Sequence, residues 1–124
     1  MLTLICGLPR AGKTTYSQQY ECKVYHLDEF GLLKNAYGRV NNAIGATTAD
    51  IVVEGIYDKP EQRKALIETY RGQGARCIWL NTPIEIKRTR RGYSKHCEYP
   101  FEPPTYSEGW DEIIIIGENY GEPN

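Results

Sequence analysis

Residues 7 to 14 form the clearest chemical pattern in this 124-residue sequence. They read Gly-x-x-x-x-Gly-Lys-Thr, in which the glycines allow successive backbone N–H groups to converge on a phosphate. Lys13 would place a positive charge beside the β- and γ-phosphates of a nucleoside triphosphate, and the Thr14 hydroxyl is a ligand suited to Mg²⁺. We therefore predict a nucleotide site formed by Gly7, Leu8, Pro9, Arg10, Ala11, Gly12, Lys13, Thr14 and Thr15.

Two acidic residues follow apolar stretches. Asp28 comes after 24–27 and is predicted to emerge beside the phosphate loop, where a carboxylate can accept the proton of an acceptor hydroxyl and orient it for in-line attack. The alternative role is a cap for the following helix. Glu54 ends the apolar run 51–53 and is predicted to lie near Mg²⁺ or its waters. Its alternative is a solvated acid at a strand end.

Charge is distributed unevenly, although the net charge is only −1. Residues 87–95 contain five basic side chains and no acidic one, whereas 98–122 contain seven acidic and no basic ones. Arg88 and Arg91 are three positions apart and share a helix face, so they predict a lid that stabilises charge developing in the transition state. The alternative is an ordinary solvated helix face. His26 and His96 are expected to be structural or surface residues.

The elements that must position these residues alternate between strand and helix. Apolar runs predict strands at 2–6, 24–27, 51–53, 77–80 and 113–116, and helices are expected at 13–20, briefly after Asp28, at 60–71 and at 83–91. This alternation indicates an α/β fold with a mostly parallel sheet of about five strands flanked by helices. Residues 1–124 are expected to form one domain. Within it, 93–110 would be irregular and 121–124 a loose tail, and the irregular segment would pack through Tyr99, Phe101, Tyr106 and Trp110.

Other protein classes are disfavoured by what the sequence contains. It has no Asn-Lys-x-Asp guanine-reading motif, and it is too short for the subdomains of a mechanical ATPase, which leaves a small phosphotransferase. The four cysteines lack zinc-site spacing, and Cys6 and Cys77 are predicted to be small core residues. No apolar run approaches the roughly 20 residues of a membrane helix, and the start does not resemble a signal peptide, so we expect a cytoplasmic protein without membrane contact.

With these residues in place, the chain resembles the P-loop kinases that include the 5′-kinase domain of polynucleotide kinases and the predicted AAA-type kinases. The resemblance rests on the phosphate loop, Leu27-Asp28, Val53-Glu54-Gly55, the basic lid, and the segment 101–113, which is similar to an F-x-P-P-T-x-x-E-G-aromatic stretch of that family. It implies a three-layer α/β P-loop NTPase fold of the kinase type. It also implies that Lys13 and Thr14 bind ATP and Mg²⁺, that Asp28 activates a 5′-hydroxyl, and that Arg88 or Arg91 is the lid arginine.

The sequence differs from that family on the acceptor side. Polynucleotide kinases usually have an arginine three residues after the catalytic aspartate, where this chain has Gly31, and the stretch 29–50 is short. Our first hypothesis is transfer of the γ-phosphate of ATP to a 5′-hydroxyl end of DNA or RNA, with Lys34, Arg39 and the lid contacting phosphates. The alternatives are a kinase of the same fold acting on a nucleoside, nucleotide or other small hydroxyl compound, and a non-catalytic nucleotide-binding module.

Overall fold

The computed structural model describes residues 1–89 and 100–117. The strands in these residues are β1 (Leu2–Cys6), β2 (Lys23–His26), β3 (Ile51–Gly55), β4 (Ala75–Leu80) and β5 (Glu112–Ile116). The α-helices are α1 (Lys13–Ser17), α2 (Leu33–Ile44), α3 (Pro60–Thr69) and α4 (Ile84–Lys87). Short 3-10 helices cover Leu27–Phe30 and Tyr106–Glu108.

The strands form one parallel sheet in the order β2-β3-β1-β4-β5. Strand β1 lies at the centre and is buried along its whole length. Its last residue, Cys6, is level with Gly55 of β3, and Glu54 of β3 is level with His26 of β2. The carboxyl ends of three adjacent strands therefore meet at one edge of the sheet, where ligands bind in folds of this kind.

Both faces of the sheet are covered, as a parallel sheet requires. Leu2, Leu4 and Cys6 pack into a core with residues of α2 and α3, whereas Ile5 belongs to a second core that contains Ala11, Val52, Ile78 and Leu80 with Tyr16 of α1. Successive residues of β1 thus face opposite layers, which is the period-two alternation of a strand. The predicted α/β architecture with a parallel five-stranded sheet is confirmed.

The helix after Asp28 is much longer than the short one predicted, because α2 has 12 residues. Ala36, Val40 and Ile44 recur every four positions and are 0–4% exposed, so they form its core-facing stripe. The sequence signal is weak because the rest of the helix contains Gly38 and asparagines, which are poor helix formers. Packing against the sheet compensates for that low propensity.

Other helix ends also differ from the predictions. Helix α1 stops at Ser17 rather than near residue 20, because the amides of Gln18, Gln19 and Tyr20 donate to carbonyls three residues earlier instead of four. Helix α3 begins at Pro60 as predicted and ends at Thr69. Of the helix predicted at 83–91, Ile84–Lys87 is helical, and the positions from 90 onwards lie outside the described residues.

The segment 100–110 is fastened to helix α3 by a buried ion pair. Arg63 of α3 is completely buried and its guanidinium donates two hydrogen bonds to Glu108, at 2.7 and 2.9 Å. Phe101 stacks on Trp79 at 5.2 Å between ring centroids, and Trp110 is buried and donates to Glu108. Packing through Phe101 and Trp110 is thus confirmed. For Tyr106 the prediction was wrong, because that ring is 62% exposed. Tyr99 and the tail 121–124 lie outside the described residues.

The two cysteines predicted to be core residues are buried and adjacent. The Sγ atoms of Cys6 and Cys77 are 3.6 Å apart. Their hydrogen bond, together with burial, raises the pKa of the Cys77 thiol, so this thiol stays protonated and unreactive at neutral pH. None of the helices in 1–89 and 100–117 has the length and apolar character needed to cross a bilayer.

Candidate active site

The phosphate loop occupies residues 7–14 between β1 and α1. Gly12 takes φ 96° at the start of α1, and Arg10, although not a glycine, takes φ 70°. A Cβ on Gly7 would lie 2.7 Å from the carbonyl oxygen of Leu80, so this position has no room for a side chain. These conformations curl the backbone into the concave loop in which N–H groups can face a phosphate.

Two side chains hold the loop in shape. The Lys13 ammonium donates to the carbonyl oxygen of Leu8 at 3.0 Å, which keeps the charged group folded over the loop. The buried Thr82 hydroxyl donates to the carbonyl oxygen of Ala11 at 2.8 Å. Sequence analysis assigned Thr82 no part in the site. The signal for this role was the position of Thr82 just after β4, because the end of β4 lies next to the end of β1 in the sheet.

A cavity of about 520 Å³ opens between the loop and the carboxyl ends of β2 and β3. It brings together eight of the residues predicted from the sequence: Pro9, Arg10, Gly12, Lys13, Thr14, Thr15, Asp28 and Glu54. The remaining lining residues were not predicted, and they are Leu27, Gly31, Leu32, Gly55 and Ile56. Gly7, Leu8 and Ala11 are part of the loop but do not line the cavity.

Asp28 lies in the 3-10 helix at the end of β2 and is exposed at the cavity wall. It does not cap α2, because the cap position of that helix is Leu32 and no side-chain cap bond is formed there. Within the described residues its carboxylate forms no ion pair. Asp28 thus lines the cavity, and within 1–89 and 100–117 no ion pair occupies its carboxylate, which suits a proton acceptor for a substrate.

Glu54 is nearly buried, with 5% of its side chain exposed, and it hydrogen-bonds to His26. The distance between Glu54 Oε1 and His26 Nδ1 is 2.8 Å. The contact arises because the two residues are opposite each other on β3 and β2. His26 was expected to be structural or at the surface, and the structure places it in direct contact with an acid of the cavity.

The residues that would hold Mg²⁺ are compatible with that ion. Thr14 is exposed and Glu54 lines the same cavity, but the described residues contain no cluster of three acidic, histidine or cysteine side chains able to hold a metal by themselves. Protein sites for Mg²⁺ commonly provide few ligands and rely on water and nucleotide phosphates for the others. A hydroxyl and a fixed carboxylate beside a phosphate loop fit this description.

The basic lid is described only in part. Arg88 is exposed in the turn that follows α4 and does not line the cavity. Arg91 lies outside the described residues. The structure thus brings together the loop, Asp28 and Glu54, and it does not bring Arg88 to them.

The sheet order and the loop geometry can be compared with known proteins. The chain has a P-loop NTPase fold. It is similar to the crystal structure of Chaetomium thermophilum Kti12 in complex with ADP-AlF3, with a TM-score of 0.64 and coverage of 94% of this chain and 89% of that one. The sequences are 15% identical, so the similarity concerns the fold. No protein-family model matches the sequence, and no curated protein does.

Proposed function

We propose that this protein transfers the γ-phosphate of ATP to the 5′-hydroxyl end of DNA or RNA. The observation that carries the proposal is that the phosphate loop and the Asp28 carboxylate line one cavity. A phosphate donor and a hydroxyl acceptor can meet in this cavity. A site that only binds a nucleotide would not need a carboxylate at that position.

On the donor side, the loop amides and the Lys13 ammonium bind the phosphates of ATP. The curled backbone at Arg10 and Gly12 and the position of Lys13 over the loop support this role. The similarity to Kti12, whose structure contains ADP-AlF3, is consistent with a nucleotide at the loop. Thr15 lines the same cavity and is placed to contact the α-phosphate.

On the acceptor side, Asp28 takes the proton of the 5′-hydroxyl as the hydroxyl oxygen bonds to the γ-phosphorus. The bond between that phosphorus and the β,γ-bridging oxygen breaks, and ADP leaves with the electron pair. Lys13 stabilises the charge that moves onto the leaving oxygens. Thr14 and Glu54 would hold Mg²⁺, which when bound neutralises negative charge on the β- and γ-phosphates.

Arg88 and Arg91 are proposed as lid arginines that approach the triphosphate during transfer. The proposal rests on their spacing and on the absence of acidic residues between 87 and 95. It requires Arg88, which does not line the cavity in this structure, to come closer to the loop during transfer.

The deciding experiment measures transfer of labelled phosphate from ATP to a 5′-hydroxyl oligonucleotide and, in parallel, to a panel of nucleosides and nucleotides. The proposal expects transfer to the oligonucleotide, with rates that fall steeply as salt increases. Exclusive transfer to small acceptors without salt dependence would identify a small-molecule kinase. ATP binding without transfer to any acceptor would identify a nucleotide-binding module.

The assignment of Asp28 is tested with Asp28→Asn, and Glu29→Gln is the matched control. Glu29 is the next residue of the same 3-10 helix, is also exposed, and does not line the cavity. Asp28→Asn should lose transfer by about 10² to 10⁴-fold while retaining ATP binding. Full activity in Asp28→Asn would contradict the assignment.

A further inference from the structure

The buried hydroxyl of Thr82 connects the end of β4 to the phosphate loop. It donates to the carbonyl oxygen of Ala11 at 2.8 Å, although the two residues are 71 positions apart. Thr82 is 4% exposed and Ala11 is 1% exposed, so water cannot take the place of either partner. A buried carbonyl that loses its only donor is costly to leave unpaired. The Ala11 carbonyl is therefore held in one direction, towards Thr82.

The direction of this carbonyl fixes the direction of the next amide. No cis peptide bond occurs in the described part of the chain, so the peptide bond between Ala11 and Gly12 is trans. In a planar trans peptide, the carbonyl oxygen and the amide hydrogen point to opposite sides. Because the oxygen points towards Thr82, the N–H group of Gly12 points away from it.

The Gly12 amide is available to a ligand. Gly12 lines the cavity, whereas Ala11 and Thr82 do not. The Ala11 amide donates to the carbonyl oxygen of Leu8 at 3.2 Å, but no backbone hydrogen bond within 1–89 and 100–117 has the Gly12 amide as its donor. Backbone N–H groups that converge in such a loop bind anions. The Gly12 amide is thus suited to donate to a phosphate oxygen.

We propose that Thr82 is a positioning residue of the phosphate site, which directs the Gly12 amide to a phosphate of the bound nucleotide by holding the Ala11 carbonyl. The inference rests on the proposed binding of ATP at the loop. Gly12 has φ 96° and the wide conformational freedom of glycine, so the backbone alone does not fix this peptide plane. The buried hydrogen bond from Thr82 supplies the missing constraint.

The first experiment measures equilibrium binding of ADP and of inorganic pyrophosphate to the wild type, Thr82→Val, Thr82→Ser and Thr69→Val. Thr69 is the matched control, because its hydroxyl also donates to an alanine carbonyl at 2.8 Å, but within α3 and away from the cavity lining. In Thr82→Val both dissociation constants should rise about tenfold or more, the size expected when a hydrogen bond to a charged group is lost. Thr82→Ser keeps the hydroxyl and should restore binding, and Thr69→Val should bind as the wild type does.

The second experiment follows the amide proton of Gly12 by NMR, because a proton donated to a phosphate oxygen shifts downfield. At saturating ADP this shift should be large in the wild type and in Thr69→Val, and clearly smaller in Thr82→Val. A melting curve of each variant without ligand separates this effect from loss of the fold. The wild-type spectrum tests the contact between Gly12 and phosphate even where Thr82→Val does not fold.

Three results would overturn the inference. They are equal ADP affinity in Thr82→Val and the wild type, a Gly12 shift that is the same in both, and a wild-type Gly12 signal that does not respond to ADP. None of these measurements depends on phosphate transfer. ADP binding with the expected Thr82 effects, but without transfer to any acceptor, would refute the proposed kinase activity and leave the role of Thr82 intact. A wild-type protein that binds no ADP would overturn both.

Discussion

His26 Nδ1 lies 2.8 Å from Glu54 Oε1, and the two residues are direct neighbours on β2 and β3. Glu54 is nearly buried, so its carboxylate depends on this partner for both orientation and hydrogen bonding. The strand pairing thus presents a fixed acid to the cavity beside the phosphate loop. An acid with a fixed orientation is suited to hold a hydrated Mg²⁺ at one position relative to the phosphates.

Replacing His26 tests this arrangement. In His26→Ala, Glu54 loses its partner, and the concentration of Mg²⁺ required for half-maximal transfer should rise about tenfold or more, as when other residues that orient metal ligands are removed. The measurement is a Mg²⁺ titration of transfer together with a thermal melt without metal. His26→Asn, which keeps a hydrogen-bond donor, is the control and should shift the titration less. An unchanged titration in His26→Ala would show that His26 does not position Glu54 for the metal.

Removing the charge of Lys13 should abolish tight nucleotide binding. In Lys13→Met the side chain keeps much of its length and loses its ammonium, so the increase in melting temperature on addition of ATP should largely disappear. Lys64, an exposed lysine of α3 that does not line the cavity, provides the control as Lys64→Met. The ATP-dependent increase should persist in that variant. An equal increase in Lys13→Met would place the nucleotide elsewhere.

Replacing each of two glycines with alanine should change the stability of the protein in opposite directions. A Cβ at Gly7 would press against the carbonyl oxygen of Leu80, so Gly7→Ala should destabilise the fold and weaken ATP binding. Gly38 lies within α2 and a Cβ there would contact nothing within 4 Å. Gly38→Ala should therefore stabilise the protein by about 0.5 to 1 kcal/mol. Denaturant unfolding of both variants measures the difference, and destabilisation by Gly38→Ala would contradict the packing of α2.

The buried pair of Arg63 and Glu108 should make stability dependent on acid pH. Burial of Glu108 raises its pKa, but hydrogen bonds from Arg63 and Trp110 outweigh burial and hold the pKa below the ordinary value of 4.5. The carboxylate therefore contributes stability above that ordinary value, and this contribution is lost as the pH falls through the lowered pKa of the folded state.

The variant Glu108→Gln measures that contribution. At pH 7 its free energy of unfolding should be about 3 kcal/mol or more below that of the wild type, because Arg63 stays buried without a counter-charge. The difference in free energy of unfolding between the wild type and this variant should shrink as the pH is lowered below 4.5. Glu112→Gln, which alters an exposed acid of β5, should change stability little at either pH. A difference for Glu108→Gln that did not vary with pH would mean that its charge is not what anchors the segment.

Features that depend only on residues close together along the chain were predictable from the sequence. The phosphate loop is one continuous segment, and its glycines, lysine and threonine identify it wherever a strand precedes it and a helix follows. The central strands were recognisable because a parallel sheet buries both faces and so requires short apolar runs, such as 2–6 and 51–53. The length of helix α2 was underestimated because its glycine and asparagines are poor helix formers. Its buried stripe is stabilised only when the helix packs against the rest of the fold.

The partners of the site residues were decided by tertiary structure. His26 is 28 positions from Glu54, and Arg63 is 45 positions from Glu108, so no local pattern links either pair. The strand order creates the first contact by placing β2 beside β3, and the packing of 100–110 against α3 creates the second. The same applies to Thr82, whose hydroxyl reaches the phosphate loop from just after β4. The sequence by itself located the proposed phosphate site, because one continuous loop forms it. Which side chains share the cavity with that loop was decided by the fold, because they come from separate elements that only the folded chain brings together.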